Sequence, residues 1–178
     1  MTSPSFRPTG PIPLRARSGF LAVASALAVS GCYGFAGGGL PPNVKTVAVL
    51  PFENLTPEPT LTRDIQDAVR DAMEGRLGLR QAGEASADAV VRGTINRYEP
   101  DLPVAYQGTP GADVQVTQRL VQITVSVQIV DQRSGRTLWE RSGLTIDGNY
   151  DPGQELEGRR RAYQRLVTNI VEGAQSQW

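Results

Sequence analysis

The sequence predicts an α+β domain, a two-layer sandwich in which a mainly antiparallel four-stranded sheet carries two helices on one face, in the order β-α-β-β-β-α. Three observations predict it. Val121, Ile123, Val125, Val127 and Ile129 alternate strictly with Gln122, Thr124, Ser126 and Gln128, the period-two pattern of a strand buried on one side only. Two longer segments, 61–77 and 154–176, carry apolar residues at spacings of three and four with charged residues opposite, as amphipathic helices do. A single-sided sheet and two such helices bury their apolar surfaces most simply against each other.

In chain order, Val44, Thr46 and Ala48 alternate with Lys45, Val47 and Val49, and Leu50 and Phe52 extend the apolar density around Pro51. A segment apolar on both faces predicts a strand well inside the sheet, with Pro51 marking its end. Residues 54–60, with Pro57 and Pro59, form a loop. The first helix follows, with Leu61, Ile65, Ala68, Val69, Ala72, Met73 and Leu77 on one stripe and Gly75 and Gly78 at its end. Residues 81–87 read as a polar connection. A strand over 88–98 carries Val90, Val91, Thr94 and Ile95 and is closed by Pro100 and Pro103, so 102–111 reads as a Pro/Gly-rich loop.

Upstream of the alternating strand, Val114, Val116 and Leu120 fall on even numbers, so the phase slips near residue 120 and predicts a bulge or a break. Ser134-Gly135 turns the chain. The next strand sets Leu138, Glu140, Ser142, Leu144 and Ile146 on one side and Trp139, Arg141 and Thr145 on the other. The Gly- and Pro-containing cluster 148–153 ends the sheet. The last helix places Leu156, Tyr163, Leu166, Val167, Ile170, Val171 and Ala174 on one stripe.

Ahead of this domain, Arg15 and Arg17 precede an apolar, small-residue run over 19–29 that ends in Val29-Ser30-Gly31-Cys32. A charged start, a short apolar stretch and a small-residue cleavage site describe a secretory signal peptide, and the tetrapeptide resembles a bacterial lipobox. The run is too short to span a bilayer. The expected organisation is a signal peptide over 1–31, an acylated Cys32 with a flexible tether to residue 43, and a single domain over 44–178. With Tyr33 rather than Asp after the cysteine, the expected destination is the outer membrane, periplasmic face.

Removing 31 of 178 residues leaves 147, one ordinary domain. The chain has 18 basic and 18 acidic residues, and the leader takes Arg7, Arg15 and Arg17 but no acid, which leaves a net charge of −3. No field for nucleic acid is expected. There is no histidine, and Cys32 is the sole cysteine, so Ser-His-Asp, Cys-His and the usual zinc ligand sets are excluded. The closest acidic pairs, Glu99 with Asp101 and Asp147 with Asp151, lie beside Pro, Gly or Asn, where Asp serves turns. No Walker or GxGxxG phosphate loop is present. The expectation is a protein without catalysis, cofactor or metal.

Tyr33-Gly34-Phe35 after the cysteine, the run from Leu40-Pro41-Pro42 through Val49, the Phe52-Glu53-Asn54 loop and the element order resemble the LPS-assembly lipoprotein family LptE. The resemblance implies a periplasm-facing outer-membrane lipoprotein that plugs the barrel LptD and helps deliver lipopolysaccharide, with no covalent chemistry. Gln122, Thr124, Ser126 and Gln128 would suit a polar barrel interior, or equally an ordinary solvated face. Arginine binds phosphate through bidentate, charge-assisted bonds. Arg159, Arg160, Arg161 and Arg165 are therefore the candidate glycolipid contacts, the alternative being solvated residues paired with Glu155 and Glu157. The segment 47–54 also looks like the opening strand of other periplasmic lipoproteins, activators of cell-wall synthases and curli-type pore components.

Overall fold

Val47 and Val49 point to one side of the first strand and Ala48 and Leu50 to the other, and both sides are covered. This is why β1 (Thr46–Val49) lies inside the sheet, as expected. The computed structural model describes residues 40–108 and 114–176. Within them follow β2 (Glu53–Asn54), α1 (Thr60–Gly75), β3 (Arg80–Gln81), β4 (Ala89–Gln107), β5 (Gln115–Asp131), β6 (Thr137–Tyr150) and α2 (Glu155–Ser176). The six strands form one sheet in the order β3-β1-β4-β5-β6, with β2 beside β4.

The α+β class and the two helices on one face stand, but the four-stranded, mainly antiparallel sheet is corrected to a mixed one of six strands. β1 runs parallel to β3 and β4, and β2 parallel to β4, whereas β4, β5 and β6 are antiparallel. α1 and its flanking loops supply the crossover that parallel neighbours need. β2 and β3 are two residues each, too short for any periodicity to announce them. β3 occupies the start of the segment read as a polar connection, and a 3₁₀ turn over Glu84–Ser86 takes up part of the rest.

Two further strand limits are corrected. β4 does not stop at Pro100 but runs to Gln107, taking in most of the expected loop. Beyond Ile95, β1 and β2 no longer flank it, and the β4–β5 register shifts between Glu99 and Leu102 and again between Pro103 and Ala105. Proline is tolerated where a ladder hydrogen bond is not required. The phase slip near residue 120 resolves as bulges of this kind while β5 itself stays unbroken, with one shift opposite Val116 and Gln118. β6 runs through Gly148 to Tyr150 rather than ending before the glycine.

One core fills the space between the layers. α1 contributes Leu61, Ile65, Val69 and Met73, α2 contributes Ala162, Leu166, Ile170 and Ala174, and the sheet contributes Val91, Ile95 and the five odd-numbered β5 residues read from the alternation. Burying a Leu, Ile or Val side chain contributes about 1.5–3 kcal/mol. Trp139 is a correction: it is buried together with Leu138, not on the opposite side. The β5–β6 register shifts between Ile129 and Val130, so an extra β6 residue turns two neighbours inward. A second shift, between Val125 and Val127, falls opposite Gly143, whose φ of +63° a side chain would resist. Leu156 is also corrected, being 64% exposed at the helix start.

Asp88 ties the beginning of β1 to β4. Its Oδ2 accepts from the Lys45 N–H at 3.0 Å, the Thr46 N–H at 3.0 Å and the Thr46 hydroxyl at 2.9 Å, and Arg133 Nη2 lies 2.9 Å from Oδ1. The Lys45 and Thr46 donors and the Arg133 charge hold this carboxyl below the usual aspartate range. A lowered folded pKa contributes stability above the unfolded value of about 3.9 that is lost as pH falls through the folded one. Melting temperatures of the wild type and Asp88→Ala should therefore differ at pH 7 and converge toward pH 3. A gap that stays constant over that range would remove the clamp.

Candidate binding surface

The even-numbered side of β5 faces away from both helices, and no α-helix covers it among the described residues. Strand pairing brings three rows of polar side chains together there. Gln128 accepts from Arg92 Nε at 3.1 Å and donates to Thr137 Oγ1 at 3.0 Å and Glu140 Oε2 at 3.3 Å. Ser126 Oγ accepts from Asn96 Nδ2 at 2.9 Å and from the Gly143 N–H at 3.2 Å. Thr124 and Thr145 hydroxyls lie 3.1 Å apart, and Gln122 Nε2 donates to Asp147 Oδ1 at 2.9 Å. The result is a cross-strand lattice in which neutral amides and hydroxyls predominate and neighbours hold one another in place.

The β5 half of this surface was legible in the alternation. Arg92, Thr94 and Asn96 on β4 were not, because Val90 beside Val91 and a glycine at the inward position 93 blur the alternation, and Thr137, Glu140, Thr145 and Asp147 on β6 were not, because two bulges interrupt the period there. Asp147, read as half of an acidic pair at a turn, belongs to this strand surface instead. Glu99 pairs with Arg97 at 2.8 Å, and Asp101 pairs with Arg119 beside the Tyr150 hydroxyl. Both acids serve ion pairs within the β4–β5 arm.

The four arginines do not form one patch. Arg159 turns inward, with 17% of its side chain exposed, to reach Thr60 Oγ1 at 3.2 Å, Glu155 at 3.7 Å and Glu58 at 4.0 Å. Around it Tyr98 donates to Glu155 Oε1 at 2.8 Å, and burial, then Asp64, push the Tyr163 phenol up to about 12. This cluster joins the starts of the two helices. Arg160 pairs with Glu157 at 2.7 Å. Arg161 and Arg165 lie along β6, where Nη1 of each donates to a backbone carbonyl, Asn149 at 2.6 Å and Asp147 at 2.8 Å. Cys32 lies outside the described residues.

Compared with known families, residues 44–173 match the LptE family, whose description is lipopolysaccharide assembly. The chain belongs to the LptE family. LptE proteins are non-enzymatic lipoproteins of the Gram-negative envelope associated with the lipopolysaccharide transport machinery. No curated protein matches the chain. Among solved structures, XCC0632 from Xanthomonas campestris is similar over 78% of this chain and 90% of its own, at 12% identity and a TM-score of 0.50. CT253 from Chlamydia trachomatis is similar over 74% and 98%, at 12% identity and 0.47. Rare lipoprotein B from Shewanella oneidensis covers 74% and 89%, at 15% identity and 0.39. At 12% identity the likeness to XCC0632 is one of fold alone, and the LptE assignment rests on the family match.

Proposed function

We propose that this LptE-family chain is a lipid-anchored plug for an LptD-type outer-membrane barrel, held through acylated Cys32 on the periplasmic face, with residues 1–31 removed as a signal peptide. The open sheet face carries the proposal. It is broad, internally hydrogen-bonded and mostly neutral, which suits contact with the polar lumen of a large barrel. It also orders its side chains before binding, so little conformational entropy remains to be lost on docking. The outward arginines Arg160, Arg161 and Arg165 are the proposed glycolipid contacts, while Arg159 is engaged with α1.

Thr124→Glu with Thr145→Glu sets two like charges side by side in the middle of that face. Thr145 is exposed and Thr124 partly so, and a like-charge pair directly opposite costs about 1 kcal/mol, small against a total stability of about 5–15 kcal/mol, so the fold should hold. Co-purification of the barrel in detergent should fall at least about tenfold, the equivalent of 1.4 kcal/mol, and depletion of the protein should lower surface lipopolysaccharide. Unchanged barrel recovery with the double variant would exclude this face. Recovery of a cell-wall synthase or a self-assembled ring in place of a barrel would overturn the plug role.

A further inference from the structure

β6 ends the sheet order, so among the described residues one of its sides has no strand neighbour. In antiparallel pairing a residue's N–H and C=O point to the same side. Asp147 and Asn149 offer their carbonyls to α2, so these residues, and Thr145 two before them, direct their backbone groups to the open side. A row of that kind is a template for pairing with another chain.

The two arginines occupy this row in register. Four residues of helix rise about 6.0 Å and two residues of strand about 6.6 Å, so arginines at i and i+4 of α2 meet carbonyls at alternate residues of a strand running the other way. Arg161 takes Asn149 and Arg165 takes Asp147. Among the described residues neither forms a salt bridge, whereas Arg159 and Arg160 do. We propose that Arg161 and Arg165 close the exposed edge of β6 against pairing with a second copy of this chain. A second copy is the fitting intruder because antiparallel edge-to-edge pairing is self-complementary about a two-fold axis. An incoming strand would have to displace both guanidinium groups from their carbonyls, or bury them without partners at a cost. The role is independent of glycolipid binding: closure is read in assembly mass, anion contact in ligand recovery.

The test is sedimentation of the full-length protein in density-matched detergent. Wild type should carry one chain per particle, Arg161→Ala with Arg165→Ala should double that mass as concentration rises, and the single variants should fall between. Adding Asn149→Pro to the double variant removes an outward N–H from the edge. It follows Gly148, which tolerates a succeeding proline, and should restore the one-chain mass. A double variant that stays at one chain overturns the proposal, as does a dimer that survives Asn149→Pro. A double variant that loses its near-ultraviolet circular dichroism also overturns it, since the arginines would then hold the fold rather than guard its edge.

Discussion

Gly148→Ala is expected to destabilise the domain by about 3 kcal/mol, the upper end of the usual range for overpacking, and to loosen α2 from the sheet. A Cβ at Gly148 would stand 1.8 Å from the Gly158 carbonyl oxygen and 2.9 Å from the Ala162 nitrogen. Both are helix backbone, so no rotamer change relieves the clash and α2 must move outward as a body. Gly158 completes the crossing, since a Cβ there would meet the Tyr150 ring at 2.6 Å and Gly148 O at 2.9 Å. The displaced helix carries Ala162, Leu166, Ile170 and Ala174 of the core. Their loosening matters against a total stability of about 5–15 kcal/mol for a domain of this size. Gly75→Ala, at the end of α1 with nothing within 4 Å of the added Cβ, is the matched control and should be neutral or stabilising by up to about 1 kcal/mol. Chemical denaturation of the two variants decides the matter: equal midpoints would show that the crossing is not tight.

Cys32→Ser is expected to abolish acyl anchoring and leave an unprocessed, mislocalised precursor. Without the thiol no acyl chain can be attached, and stable membrane association by lipid takes at least two chains or a second signal. None of the described helices is long and apolar enough to cross a membrane in its place. The variant should accumulate with residues 1–31 still attached, lack the acyl mass in intact-protein mass spectrometry, and disappear from the outer-membrane fraction. Normal fractionation of Cys32→Ser would refute acylation.

The alternating β5 strand, the stripe of α1 and the span of α2 were legible because each repeats one period over three or more turns or pleats; in β5 and α1 the fully buried residues are among those the period selects, whereas in α2 Leu156 is exposed and Gly158 and Ala162 are buried outside the expected stripe. β6 was only half legible. Two bulges reset its phase, one placing Leu138 and Trp139 side by side in the core and one absorbed by Gly143. The prolines of β4 misled for a related reason. A proline ends a strand that needs its N–H, and whether it is needed depends on a neighbour drawn from any part of the chain.

The arginine run shows the same limit at the surface. Four cations within seven residues of one helix read as a single patch, yet one is drawn inward by Glu155 and Thr60, one pairs with Glu157, and two align with β6 carbonyls. Helical spacing fixes the direction each side chain leaves the axis but not what stands opposite.

By itself the sequence determined the α+β class, the two helices, the single-sided β5 strand, and the absence of histidine that removes the usual triad and zinc chemistries. These follow from composition and from periods that a helix or strand imposes on its own residues. Only the tertiary structure decided the parallel pairing of β1, the two-residue strands, the Gly148–Gly158 crossing and the separate partners of the four arginines. Each of those depends on groups distant in the chain meeting at hydrogen-bond or van der Waals distance, and no local pattern encodes such a meeting.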